Sequence, residues 1–545
     1  MIDADDPRPL AAANLVNLMR KHGAEVHKAE GEFSVKKGDF SAGSYIIRMD
    51  QPYSRCVDML LDTQYYNPDD PRPYDDTGWT LGPLYNVKTV RVMDTKILDV
   101  PMILLTSDVK IEGKLVGEQN AAAFLINHNA ENALITLRYR LKDVDMLAAE
   151  RSFKVNDEKY NAGSFIIPTA DTQPDFVERL EGELKALGLT ARGVSDMPEV
   201  KTHPLAAPRM AILHTWLFTQ NEGWYRLTFD KLGIPYDYIS PQVIRDTEDL
   251  KSQYDVIIFP PVMFGKPQRL VNGMGGTEPI TWKKTPQYPH LGGPDSTDDI
   301  RGGIETKGIL HLRRFVEEGG LFIPLTTNAS FPIDYGMVES VMVVKPEKLK
   351  TQGAVFNARV IDIQSPIIYG YGRNLGVYFG GSPVLDAGLK AVLGDLAEEM
   401  MGASGAEAKG RPSGRGSLKD PDVIQGRPHK PPKVRGAGTG IPEEYREIFK
   451  LYMPPDLNTI RVVMRFDRKD KLLISGMLGG AEELENRPAV IDVPVGKGHI
   501  VFFAINPMWR FETHGTFFLL FNAALNYQHL DAGRPKPKPA AEPKN

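Results

Sequence analysis

His27-Lys-Ala-Glu30 has the spacing of a two-ligand zinc pair. With a distant third histidine, such a pair would hold a metal and activate a bound water. The pair closes a short predicted strand, and a second copy of that strand carries Leu147 and Glu150 at the same positions. No later histidine stands in a matching context. No metal site or cofactor is therefore assigned to this chain. A second chemistry is a nucleophile on a sharp strand-to-helix turn, served by a histidine base. The turn after Leu321–Leu325 reads Thr326-Thr-Asn-Ala-Ser330-Phe-Pro332, with no Gly-x-Ser-x-Gly or Gly-x-Cys-x-Gly frame. Ser330 can be drawn with His514 or His499 as base, but nothing in the spacing supports it. The plainer reading is a turn whose hydroxyls and amide satisfy backbone groups. No catalytic residue is assigned.

A third candidate is a binding pocket. His214, Trp216, Glu222 and Trp224 lie at the end of the predicted strand Met210–His214 and the start of the next helix. In open α/β sheets that edge is where ligands bind. Trp509 and Arg510 follow another strand end. Together these residues could wall an aromatic pocket with one cation for a carboxylate or a sugar. The favoured alternative makes the tryptophans core and Arg510 an ion-pair partner. Gly496-Lys497-Gly498 lacks the spacing and the Ser/Thr of a phosphate loop and reads as a turn into a strand. Asn129 is a plausible N-cap for a helix beginning there.

These residues are carried by two regions. In residues 1–200, Phe33–Arg48 recurs as Phe153–Pro168 at an offset of 120, with Ala42-Gly43-Ser44 on Ala162-Gly163-Ser164. Each copy (about 1–87 and 121–190) predicts an apolar helix, a short strand, two strands around a polar turn, and a further helix. The second copy is introduced by the strand Ala122–Asn127, where the first has only Met1-Ile2-Asp3. Met1 is therefore expected to be an internal methionine of a longer protein. Residues 208–530 alternate apolar strands and helices, the pattern of a doubly wound parallel sheet. Its strands are expected at Met210–His214, Tyr236–Ile239, Tyr254–Pro260, Leu321–Leu325, Val360–Ile363, Ile367–Tyr371, Val377–Phe379 and Gly496–Pro507. The stretch 402–440 is poor in large apolar residues and is expected to be a disordered insertion; 533–545 is expected to be a disordered tail.

At ~150 residues per domain, 545 residues suggest roughly three to four domains or two large ones. Lys+Arg 65 against Asp+Glu 70 excludes a broadly basic nucleic-acid binder. One cysteine, Cys56, excludes a disulfide framework within the chain and thiolate zinc clusters. No apolar run approaches the ~20 residues of a membrane-spanning helix. The acidic start has no apolar core of a signal peptide, so the compartment is left open.

Three segments in the first region resemble the part that follows the catalytic domain in large bacterial M14-type zinc carboxypeptidase-like proteins. They are Tyr74–Leu81, Leu125–Leu134 and Phe165–Pro168. Asn221-Glu-Gly-Trp224, Pro366–Gly372 and Gly496–Phe503 resemble the class I glutamine-amidotransferase-like domain that ends them. The resemblance implies a flavodoxin-like, amidotransferase-like fold for the second region. It also implies that zinc and the catalytic residues belong to a preceding peptidase domain outside this chain. The function implied is that of a non-catalytic accessory portion, which supports or presents peptide substrate. A zinc-peptidase domain or subunit would dock at the N-terminal edge. Relatives of this kind are usually extracytoplasmic. An amidotransferase-like hydrolase with a non-cysteine nucleophile, and a sugar- or peptide-binding module, are the alternatives.

Overall fold

The structure, a computed structural model, describes residues 1–388 and 459–534 apart from 72, 119, 171 and 263–266. The insertion expected at 402–440 lies outside the described residues. So does the tail beyond Arg534.

The repeat is structural. The first copy holds helix α1 (Pro9–Lys21), strands β1 (Val26–Ala29) and β2 (Tyr45–Ile47), helix α2 (Ser54–Leu61) and strand β3 (Met102–Leu104). They form a three-stranded sheet in the order β2-β1-β3. The second copy holds β4 (Lys114–Gly117), β5 (Ala123–Ile126), α3 (Ala133–Arg140), β6 (Leu147–Ala149), β7 (Phe165–Pro168), α4 (Phe176–Leu187), β8 (Thr190–Val194) and β9 (Thr202–Pro204). Its sheet has six strands in the order β9-β6-β7-β5-β8-β4. Both copies therefore run further than the repeated sequence, to a final strand that pairs antiparallel with β1 in the first copy and with its counterpart β6 in the second.

The repeated residues make the same contacts twice. Ser44 Oγ accepts from Ala4 N at 3.0 Å and donates to Asp3 Oδ1 at 3.3 Å. Ser164 Oγ accepts from His128 N at 3.2 Å and donates to Asn127 Oδ1 at 3.1 Å. The glycine before each serine has a positive φ (88° and 85°), which only glycine adopts freely. Ser164 is fully buried. Ser164→Ala is expected to lower stability by about 1–3 kcal/mol, read from urea unfolding, because a buried amide and an asparagine oxygen each lose a partner. Asn129 is not a helix cap. Its side chain accepts from Asn161 Nδ2 at 2.7 Å, and α3 begins only at Ala133.

The second region opens with β10 (Met210–Leu213), α5 (Gln220–Leu232), β11 (Asp237–Ile239), β12 (Val256–Phe259), α6 (Glu305–Glu317) and β13 (Leu321–Pro324). It continues with β14 (Ala354–Val360), β15 (Asn374–Phe379), β16 (Arg461–Phe466), β17 (Pro488–Val495), β18 (Gly498–Phe503) and α7 (Phe517–Leu525). One mixed ten-stranded sheet runs β11-β10-β12-β13-β18-β17-β16-β14-β15, with Leu473–Ser475 also paired on β14. The first five strands in that order are mutually parallel. Strands β10, β12, β13 and β18 are buried at every residue, as their predominantly apolar sequences require.

The expected all-parallel sheet is corrected beyond β18, where β17, β16, β14 and β15 pair antiparallel. The tight turn Gly496-Lys497 makes β17 and β18 a hairpin, which forces that reversal. Ile367–Tyr371, expected as a strand, instead begins with a 3-10 turn, Pro366–Ile368. Ser365 Oγ caps the turn from Ile367 N at 3.4 Å, and Pro366 has no N–H for a sheet. At the other end of the region, Arg534 is anchored to Asp492, so the expected tail does not begin at 533.

One hydrophobic core runs from the second copy through the large sheet, joining Phe124 and Phe165 to Phe521 and Phe503. The first copy keeps its own core but leans on Val355 and Tyr378 of the large sheet. Buried side-chain hydrogen bonds cross the seam, including His128 Nε2 with Asn522 Oδ1 at 3.1 Å and His203 Nε2 with Asn526 Oδ1 at 2.8 Å. Among the described residues no helix is long and apolar enough to cross a membrane.

Candidate functional site

The C-terminal ends of the parallel strands bring a polar cluster together. His214 follows β10 directly and is 2 % exposed. Its ring stacks on Tyr238 of β11 at 4.1 Å. His214 Nδ1 accepts from Trp216 N at 3.3 Å, so Nε2 carries the proton and donates to Asp295 Oδ2 at 2.9 Å. Burial lowers the His214 pKa and keeps the ring neutral. Burial also pushes Asp295 upward, but the hydrogen bonds from His214 and Ser296 N outweigh it, and its pKa is lowered. Tyr238 OH donates to Glu222 in the first turn of α5, and the Arg226 guanidinium sits 4.6 Å over the Tyr238 ring. Burial pushes the Glu222 carboxyl up to about 8. At neutral pH the cluster thus holds a neutral imidazole, a carboxylate that orients it, and a protonated carboxyl.

The five pocket residues read from sequence do not share one role. His214, Trp216 and Glu222 join this network. Trp216 holds φ +61° and donates Nε1–H to Gln242 Oε1 at 2.8 Å. Trp224 Nε1 is buried without a hydrogen-bond partner among the described residues. The turn carrying Arg510 packs against α5. Its guanidinium, however, turns to Asp75 (2.6 Å) and Asp76 (3.2 Å) of the first region. The cavity beside His214, lined by Thr215, Leu217, Phe218, Pro241 and Arg269, has about 20 Å³ of free volume. That is room for one water, whereas ligand pockets run to hundreds of Å³.

Thr326 stands where a strand-to-helix turn would present a nucleophile. It follows β13 at φ +48°, a strained conformation for a β-branched residue. Among the described residues no histidine or carboxylate hydrogen-bonds to its hydroxyl. The bases drawn from sequence are elsewhere. His499 pairs with Leu321 at the opening of β13, the end away from Ser330, and bonds to Asp492 at 2.7 Å. His514 stacks on Tyr85 at 4.4 Å and meets Phe511 at 4.6 Å, and burial lowers its pKa to about 4. His27 lies in β1 between Ile46 and Leu104. Among the described residues no three His, Cys, Asp or Glu side chains gather as a metal set.

Neither a protein-family model nor a curated protein matches this sequence. Among solved structures, a β-galactosidase from Bacillus circulans sp. alkalophilus is 12 % identical with a TM-score of 0.28, over 64 % of this chain and 34 % of that one. The chain thus spans about a third of that enzyme's length. A cytoplasmic protein from Salmonella typhimurium is 11 % identical with a TM-score of 0.27, over 61 % of this chain and 92 % of that one. Similarity at this level assigns the chain neither an activity nor a fold family.

A second polar cluster ties the two regions together. Asp76 accepts from Tyr378 OH and from Trp509 Nε1, both at 2.7 Å. Burial raises the Asp76 pKa and raises Glu512 nearby to about 7. The ring of Tyr378 stacks on Trp509 at 4.7 Å, and Arg510 pairs with Asp75. Trp79 belongs to the same loop. Its indole donates to Met59 O at 3.0 Å. Asp295 and Tyr238 were missed because no motif marks them; Asp295 reaches His214 across 81 residues of sequence.

Proposed function

We propose that this chain is a non-catalytic accessory portion of an M14-type zinc carboxypeptidase-like protein, supporting or presenting peptide substrate to a zinc-peptidase domain or subunit. The second region is read as a flavodoxin-like, amidotransferase-like module. Support comes from the parallel block β11-β10-β12-β13-β18, whose sequence order 2-1-3-4-5 is that of a doubly wound sheet. The observation that carries the non-catalytic reading is Thr326. It occupies the positive-φ turn after the fourth strand of that block, and among the described residues no histidine or carboxylate hydrogen-bonds to it. Beyond the end of the next strand stands Asn506, whose Oδ1 is taken by Tyr225 OH at 2.8 Å. The peptidase association rests on the sequence resemblance.

The purified chain, supplied with zinc, is expected to release no C-terminal residue from unblocked peptides and no ammonia from glutamine. Zinc-dependent trimming overturns the proposal. An esterase or amidase activity abolished by Thr326→Ala, or by Ser330→Ala together with His514→Ala, would favour the hydrolase alternative instead. The sugar- or peptide-pocket alternative has less support, because Trp216 and Arg510 are already partnered within the chain.

A further inference from the structure

Strand order puts a crevice at the C-terminal ends of β10 and β12. From β10 the chain crosses to β11 on one side and then to β12 on the other. In open α/β sheets ligands bind at such a switch point, outside the strand ends. Here the crevice is walled by Thr215 and Phe218 after β10, and by Phe259 and Val262 at and after the end of β12. Trp216 and Phe218 hold φ of +61° and +58°, backbone strain of the kind that collects at ligand sites. The crevice nonetheless keeps only about 20 Å³, because Met274 and Ile300 close it.

These two residues belong to a strap. Met274 N donates to Arg301 O and Ile304 N to Leu270 O, both at 2.8 Å, so the ends of residues 274–301 meet at a narrow neck. No Cβ fits there: on Gly273 it would lie 1.9 Å from Arg301 O, and on Gly303 2.1 Å from Val271 O. Beyond the neck the strap bonds largely to itself. Trp282 and Thr297 exchange both N–H···O bonds, Lys283 pairs with Asp298, and Arg301 pairs with Asp299. No residue from 273 to 299 is buried, and Ile280, Trp282 and Tyr288 stay exposed. A segment with so little buried apolar surface opens at low cost.

Its hold on the sheet is polar. Gln242 Nε2 donates to Asp299 O at 3.0 Å. Asp295 Oδ2 accepts from His214 Nε2 at 2.9 Å, and Ser240 also donates to this carboxylate. The donor side is built from fixed parts. His214 follows β10, its side chain is 1 % exposed, Trp216 N sets its tautomer, and Tyr238 stacks on it. The acceptor comes from the strap. Arg269 stands at the mouth, over the Phe218 ring at 5.5 Å, with no ion-pair partner among the described residues.

We propose that the crevice is a binding site for a small carboxylate with an apolar body, and that the strap is its lid, with Asp295 holding the place of the ligand's carboxylate. The ligand takes the hydrogen bonds of His214 and Ser240, Arg269 supplies the cation, and the apolar body replaces Met274 and Ile300 against Phe259 and Val262. The site stands apart from the peptidase reading, since it needs no second protein.

The test is isothermal titration of the full chain with phenylacetate, with phenylacetamide as the uncharged control. Asp295→Ala removes the internal competitor. It is expected to bind phenylacetate at least tenfold more tightly than the wild type, because apparent affinity scales with the fraction of open sites. Arg269→Gln in that background should lose most of the gain, and phenylacetamide should not bind. Equal affinity in wild type and Asp295→Ala overturns the proposal. So does binding indifferent to Arg269→Gln, equal binding of acid and amide, or no binding by Asp295→Ala at millimolar phenylacetate. Limited trypsin cleavage after Lys283 and Lys284, read by mass spectrometry, follows the lid in the wild type. Phenylacetate, and not phenylacetamide, should speed it severalfold. Cleavage unchanged by millimolar phenylacetate overturns the proposal, whether or not Asp295→Ala folds.

Discussion

Glu222→Gln is expected to stabilise the protein by about 4 kcal/mol at pH 9 and to change it little at pH 5. Glu222 is 5 % exposed, and burial pushes its carboxyl from 4.5 up to about 8 against the opposing Tyr238 hydrogen bond and Arg226 charge. The unfolded chain releases this proton near 4.5 while the folded chain holds it to about 8. Stability from this group is therefore full below pH 4.5, falls as pH rises through that window, and is flat above it. Glutamine keeps an acceptor for Tyr238 and has no proton to lose. Urea unfolding of both proteins at pH 5, 7 and 9 checks this. Equal pH slopes would show that Glu222 titrates like an exposed carboxyl. Glu131 keeps some slope of the same sign in the variant, since burial raises it to about 7.

Much of this architecture was legible where the cause is local. The Ala-Gly-Ser repeats announce the two copies because glycine's positive φ and the buried serine are both needed for the same turn. The buried parallel strands announce themselves as apolar runs without alternation. The antiparallel half of the sheet was not legible. Strands β16 and β17 were not read from sequence, because Arg461, Arg465 and Asp492 interrupt their apolar residues, and the Gly496-Lys497 hairpin reverses the direction. The candidate site divides in the same way. His214, Trp216 and Glu222 could be placed at the edge of the sheet because a strand end and a helix start fix them there. Asp295, which orients His214, comes from a polar loop 81 residues away and carries no pattern. Arg510 could be named as a cation, but its partner Asp75 is 435 residues away. Sequence distance hides the ion pair that decides whether Arg510 can bind a ligand.

The other large effect is expected at Asp492. Asp492→Leu should lower stability by about 3–5 kcal/mol at pH 7, because it strips a buried counter-charge from its partners. Asp492 is fully buried on β17. His499 Nδ1 lies 2.7 Å from Oδ1, and Arg534 reaches Oδ2. Burial pushes the Asp492 carboxyl up, but His499, Arg534 and Arg461 outweigh it and the pKa is lowered. Its contribution is thus present above the unfolded pKa near 3.8 and lost as pH falls through the lower folded value. The gap between wild type and variant should narrow in urea unfolding below pH 4. A purely steric effect of leucine would leave the gap constant with pH. Adding Arg534→Met to Asp492→Leu separates the two causes again. If an unpaired guanidinium is the penalty, the double variant recovers part of the loss. If packing is the penalty, the second change recovers nothing.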